Sequence, residues 1–142
     1  MPTRTKPNVG RRRWSGALAA VTLLAAHGVV GAQGEDRSVS LAQARADHEG
    51  GRVVLIDIRE PDEHATGIAA GARLLPMRQL AARLGEIPMD TSKPVLLICN
   101  TQNRSKAAAD ALRERGYNHV RYVHGGMSEW ARRGWPMVKP DR

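Results

Sequence analysis

Two short runs constrain this chain more than anything else in it: Val53-Val54-Leu55-Ile56-Asp57 and Val95-Leu96-Leu97-Ile98-Cys99. Each is apolar without interruption, rich in β-branched residues, and closes on one polar or reactive side chain. A strand that is apolar on both faces must be covered on both faces, which is the habit of parallel sheets with helical crossovers. The residues between the runs agree with that architecture. Ser40 caps a helix over residues 41–49, and Gly50-Gly51 stops it. Arg59-Glu60-Pro61-Asp62-Glu63 reads as a polar turn and helix start, residues 67–71 as a loop, and Arg73-Leu74-Leu75 as a second strand closed by Pro76. Met77, Leu80, Ala81 and Leu84 recur at helical spacing until Gly85. Ser105 to Arg115 is built of helix formers that end at Gly116, with Ala108, Leu112 and Ala107 or Ala111 facing a sheet. His119 to Val123 alternates as a strand, Gly125-Gly126 turns into a short helix from Met127 to Arg133, and Gly134-Trp135-Pro136 ends the ordered part. The expected fold class is α/β, a mainly parallel sheet of about five strands flanked by helices on both faces. A length of 142 residues holds one such domain.

The N-terminal segment is of a different kind. Arg4, Lys6, Arg11, Arg12 and Arg13 precede an apolar stretch from Trp14 to Ala26, and no acid occurs before Glu35. Val30 and Ala32 supply the small residues a signal peptidase inspects. Residues 1–32 therefore read as a signal peptide that directs the chain to the periplasm or outside the cell. The alternative is an uncleaved anchor, since residues 14–32 are long enough to span a bilayer. Arg11-Arg12-Arg13-Trp14 also resembles a twin-arginine export signal. Removing residues 1–32 takes five of the 22 basic side chains and none of the 14 acidic ones, which lowers the net charge from +8 to +3. The basic excess thus speaks of export, and neither nucleic acid nor, after cleavage, a membrane is an expected partner. Residues 33–39 form a polar lead, 40–138 the domain and 139–142 a tail.

Cys99 is the single cysteine, which excludes an internal disulfide, a CxxC redox pair and a multi-cysteine metal site. The histidines show neither HExxH nor a His–Cys spacing, so no metal is expected. Functional groups of open parallel sheets collect at the carboxyl ends of strands. Cys99 stands at such an end, followed by the polar loop Asn100-Thr101-Gln102-Asn103-Arg104-Ser105, whose backbone N–H groups can converge on the sulfur. The positive end of a helix beginning near Ser105 and the Arg104 guanidinium both favour thiolate, and the thiol is expected at the loop mouth, partly exposed. The plainer alternative for a lone thiol is a core residue. The same amides and arginine would also hold a tetrahedral anion, so attack on phosphorus and attack on sulfur both stay open. Asp57 and Arg59, also near a strand end, read as an ion pair bracing the loop or as direct substrate contacts. His64 takes a packing position, His124 lies on the surface or beside the site, and Trp130 and Trp135 are core and edge packing.

The segment from Cys99 to Ser105 resembles the active-site loop of the rhodanese family of sulfurtransferases, C-x-x-G-x-R-[ST]. Further marks follow in family order. Asp57, Arg59, Glu60, Pro61 and Glu63 resemble D-x-R-E-P-x-E, and Gly71-Ala72 with Pro76 resembles G-A-x-x-x-P. Gly125-Gly126 with Trp130 resembles G-G-x-x-x-W, and Gly134 with Pro136 the closing G-x-P. The resemblance covers Ser40 to Val138, with Gln102 in place of the loop glycine and Ile68-Ala69 in place of the usual His-Ile. It implies a single rhodanese-like domain without a cofactor, working by double displacement: Cys99 takes sulfane sulfur from a donor such as thiosulfate as a persulfide and passes it to cyanide or a thiol. It further implies that Asn100, Thr101, Gln102, Asn103, Arg104 and Ser105 hold the anionic sulfur through their amides, that Arg104 steadies the loop or the donor, and that Ser105 caps the following helix. Four residues separate Cys99 from Arg104, as in family members that move sulfur, whereas the related phosphatases and arsenate reductases have five. The implied partners are a small-molecule donor, an acceptor, and a redox or thiol protein that keeps the exported thiol in use. A non-catalytic sulfur-carrier or partner-binding module is the first alternative, kept open by Gln102; a phosphatase or arsenate reductase is the second, disfavoured by the loop length.

Overall fold

The two apolar runs are the centre of the sheet. In the computed structural model, which describes Thr3 and residues 37–141, they form β2 (Val54–Asp57) and β4 (Val95–Ile98). These strands pair in parallel from Val54 opposite Val95 to Asp57 opposite Ile98. β1 (Ser38–Val39) and β5 (Val120–Val123) lie on the β4 side and β3 (Arg73–Leu74) on the β2 side, in the order β1-β5-β4-β2-β3 with every pair parallel. The helices are α1 (Leu41–Glu49), α2 (Pro61–His64), α3 (Asn103–Glu114) and α4 (Gly126–Arg132). The signal-peptide and anchor readings of residues 1–32 lie outside the described residues.

Every residue of β2 and β4 is buried, and the period of two divides them between the two faces. Val54, Ile56, Val95 and Leu97 pack with Ala108, Ala109 and Leu112 of α3. Leu55, Leu96 and Ile98 pack on the opposite face with Leu41 and Ala44 of α1 and with Met127 and Trp130 of α4. Each such Leu or Ile contributes about 1.5–3 kcal/mol by leaving water. Trp130 supplies the largest single piece of the second cluster, and its indole N–H donates to Pro136 O at 3.0 Å, so burial leaves no polar atom of it unpaired.

Four local expectations are corrected. The polar lead contains β1, whose two residues pair with Tyr122 and Val123; an edge strand with one apolar side chain carries no periodic signal. Met77 to Leu84 is not one helix but two 3-10 turns, Met77–Gln79 and Leu84–Glu86, with Arg83 between them at φ −117°. The apolar spacing is still used, because Met77, Leu80 and Leu84 pack against the α3-side core. Helix α3 starts at Asn103, two residues before the expected start, and buries Ala109 beside Ala108 and Leu112 in place of Ala107 or Ala111. Finally, order continues past Pro136. Ile68 and Val138 exchange two backbone hydrogen bonds of 2.8 and 2.9 Å in an antiparallel bridge, and Lys139 Nζ donates to Ala65 O at 2.8 Å.

Candidate active site

Cys99 follows β4 directly, so the alternation that turns Val95 and Leu97 toward α3 turns its side chain the same way. The residue is 1% exposed, which corrects the expected half-open thiol at the loop mouth. The Sγ–H donates to Ser105 Oγ at 3.4 Å, and Ser105 Oγ–H donates to Gln102 O at 3.2 Å. Ser105 is thus a buried third residue of α3 that bonds back to the residue before the helix. It is not the helix cap that its place in the motif implies, and α3 has no side-chain cap.

The backbone of the loop is oriented by α4. Met127 N–H donates to Cys99 O at 2.8 Å and Ser128 N–H to Asn100 O at 2.9 Å. In a trans peptide the carbonyl and the following N–H point in opposite directions, so the N–H groups of Asn100 and Thr101 face away from α4. Gly126, at φ +63°, makes this approach feasible: a Cβ there would sit 2.2 Å from Thr101 O and 2.5 Å from the carbonyls of Cys99 and Asn100. Gly125 N–H donates to the Gln102 side-chain Oε1 at 3.2 Å, a further tie between loop and α4. Since a backbone N–H can only be accepted by the oxygen, this bond also fixes which end of the carboxamide is which. Gln102 occupies the family's glycine position at φ −145°, so the backbone here needs no left-handed conformation.

Among the described residues, none of the backbone N–H groups of residues 100–105 donates to a protein acceptor. Three of them belong to the first turn of the 12-residue α3, whose aligned peptide dipoles add partial positive charge. Consecutive amides without an internal partner at a helix start are suited to an anion, and they follow the Cys99 thiol directly in the chain. The side chains of Asn100, Thr101 and Asn103 are exposed, so what these three residues offer the site is backbone.

Arg104 does not stand bare beside the sulfur. Its guanidinium grips Glu63 with both nitrogens, Nη1 to Oε2 at 2.8 Å and Nη2 to Oε1 at 2.7 Å. That fork holds the Glu63 carboxyl down to about 2, and Glu63 in turn raises Arg104 above its already high value. Cys99 lies near enough to contribute to the Arg104 shift, after Glu63. Glu63 Oε2 also accepts the N–H of Glu60, closing a capping box at the start of α2. Its place three residues after Glu60 is the sequence signal of that capping box, beyond its place in the family motif.

Asp57 and Arg59 form a separate, closed cluster. Asp57 is 0% exposed and Arg59 4%. Arg59 Nη2 donates to Asp57 Oδ2 at 2.7 Å and to Gly67 O at 2.8 Å, and His64 Nε2 lies 3.4 Å from Asp57 Oδ1. The pair connects to Glu63, the partner of Arg104, whose backbone carbonyl accepts from Arg59 Nη1 at 3.4 Å. His124 follows β5 and is exposed.

Fold and site together define an open parallel α/β domain with one cysteine under a loop of unpartnered amides at the carboxyl edge of the sheet. A family model, the rhodanese-like domain, matches residues 40–133. A sulfurtransferase of Allochromatium vinosum is 41% identical over 104 residues, 73% of this chain and 94% of the relative. A rhodanese-related protein from Thermoplasma volcanium superposes with a TM-score of 0.65 at 29% identity, covering 73% of this chain and 99% of that one. The human single-domain sulfurtransferase TSTD1 superposes with a TM-score of 0.59 at 26% identity, over 68% of this chain and 96% of that one. The chain belongs to the rhodanese-like domain family.

Proposed function

We propose that this protein is an exported sulfurtransferase that carries sulfane sulfur on Cys99. The observation that supports the reading is the lone thiol followed directly by six backbone N–H groups with no protein acceptor among the described residues, donors suited to holding an anionic sulfur carried on Sγ. The Cys99 thiolate attacks the outer sulfur of thiosulfate, the S–S bond of the donor breaks, and sulfite leaves with the bonding electron pair. The persulfide anion that remains is held by the loop amides. Cyanide or a thiol then attacks the outer sulfur, and Cys99 leaves as thiolate, ready for the next donor. Because Cys99 is buried, a donor reaches it only when the loop moves outward, and the Gln102–Gly125 bond is the tie such a motion loosens.

The same burial favours a second reading, a domain that binds a partner or stores sulfur without turnover. The four-residue spacing from Cys99 to Arg104 weighs against phosphate or arsenate as substrate. Incubation with thiosulfate followed by intact-mass measurement separates these readings. Wild type gains about 32 Da, one sulfur atom, and Cys99→Ala gains nothing. Thiocyanate release on adding cyanide distinguishes turnover from storage, and absence of the adduct with every sulfane donor tried would refute the transferase reading.

A further inference from the structure

The sheet face toward which Cys99 points has a second wall at its carboxyl edge. Past the ends of the central strands the chain keeps sheet order: Ile58 N–H donates to Ile98 O at 2.9 Å, and Met77 N–H donates to Ile58 O at 3.0 Å. Residues 98, 58 and 77 therefore stand side by side, and two strand spacings place Met77 about 10 Å from the chain that delivers Cys99. The Met77 side chain packs on the same core cluster as Cys99, so the 3-10 turn Met77–Gln79 lies on the α3 face as the thiol does. Arg78, the middle residue of that turn, is exposed. Its backbone N–H donates to Glu60 Oε1 at 3.3 Å, which fixes where residue 78 stands and leaves its guanidinium unengaged.

An anionic sulfur donor needs positive charge, and most of the charge at this edge is already committed. Arg59 is spent on Asp57 and on Gly67 O. Arg104 gives both terminal nitrogens to Glu63, and Lys106 pairs with Asp110 at 3.0 Å. Among the described residues the Arg78 side chain has no hydrogen bond or ion pair, so its whole fork stays available to an oxyanion. Glu60, the acid beside it, has its carboxylate on the backbone N–H groups of Arg78 and Glu63.

We propose that Arg78 is the residue that selects the sulfur donor, holding the oxyanion end of a thiosulfate or organic thiosulfonate while the loop amides receive the outer sulfur. This rests on the sulfurtransferase reading above. An extended arginine side chain and a tetrahedral anion together bridge the span from residue 78 to the thiol. When the Cys99 thiolate attacks the outer sulfur of thiosulfate, the donor S–S bond breaks, and the sulfite that takes the bonding electron pair leaves along Arg78. Arg104, held in its fork with Glu63, then steadies the loop and leaves the donor to Arg78.

The test measures thiocyanate release by the full domain as thiosulfate is varied at constant ionic strength. Arg78→Ala raises the KM for thiosulfate about tenfold with kcat nearly unchanged, Arg78→Lys restores most of that loss, and Arg78→Glu raises KM further. Arg113→Ala, a change of an exposed arginine in the last turn of α3, matches wild type. An unchanged KM in Arg78→Ala, a loss confined to kcat, or failure of lysine to restore KM overturns the proposal. A second arm needs no sulfur transfer: titration of 15N-labelled Cys99→Ala with thiosulfate shifts the Arg78 Nε–H resonance and leaves that of Arg113 in place. If thiosulfate fails to load wild-type Cys99, the transferase reading fails, and this titration alone decides the role of Arg78; a silent Arg78 resonance at millimolar thiosulfate overturns it.

Discussion

Two polar clusters sit at the carboxyl ends of the two central strands, and they differ in where their hydrogen bonds go. At the end of β2, the Asp57 carboxylate takes the Arg59 guanidinium and backbone N–H, and Arg59 also reaches two main-chain carbonyls, so charge and donors are consumed inside the cluster. At the end of β4, the loop carbonyls are taken by α4 while the loop N–H groups have no protein acceptor among the described residues. A cluster that satisfies itself holds the fold. A cluster that leaves a row of backbone donors without a protein acceptor at a helix start can offer them to an anion that arrives from solution.

The largest effect on stability belongs to the closed cluster. Asp57→Asn leaves the Arg59 guanidinium buried without its counter-charge and costs about 3–5 kcal/mol in urea unfolding. The double change Asp57→Leu/Arg59→Met recovers most of that loss, since apolar residues of similar volume replace a buried ion pair at little cost. Sulfur loading survives in the double variant; its disappearance there would make the pair part of the reaction and break the contrast between the clusters.

Glycines test the open cluster. Gly126→Ala drives a methyl against three loop carbonyls at φ +63° and costs about 2–3 kcal/mol, with persulfide formation slowed about tenfold as the amides move. Gly134→Ala is the control. Its φ is +67°, but a Cβ there meets nothing within 4 Å, so it carries strain of about 1 kcal/mol and leaves loading intact. Equal loss of loading in both variants would show that the tight fit of Gly126 against the loop does not matter.

The link between the clusters gives the smallest effect and the clearest pH signature. The carboxyl of Glu63 is held down to about 2 by Arg104, from 4.5 in the open chain. The unfolded chain therefore binds the proton first as pH falls. The stabilisation is fully present above about pH 4.5 and is lost as pH drops through about 2. With both side chains about a third exposed, solvent screening reduces it to about 1 kcal/mol. Glu63→Gln removes this acid-limb slope; an unchanged slope between pH 5 and 2 would mean the Arg104–Glu63 fork does not link α3 to α2 in solution.

The sheet was legible because its central strands are apolar on both faces and are bounded by Pro, Gly and polar turns. β1 was not, since Val39 alone marks it and its position depends on pairing with residues about eighty positions away. The segment from Met77 to Leu84 misled because three-residue apolar spacing serves a 3-10 turn as well as an α-helix. For the site, the residue types and their order were readable, but the partners were not. Nothing local places Glu63 against Arg104, 41 residues apart, or turns the Gln102 carboxamide onto Gly125. Burial of Cys99 follows from strand alternation continued one residue past β4, a step that reading the residue as part of a loop hides.

The proposed function requires the loop amides to hold the transferred sulfur. Amide resonances of 15N-labelled protein, recorded before and after loading one sulfur from thiosulfate, test this directly. A cradle of N–H donors on an anionic sulfur moves the proton resonances of residues 100–105 downfield, while those of Ile58 and Arg59 at the closed cluster stay in place. Loading confirmed by mass, with the loop resonances unmoved, would contradict the cradle.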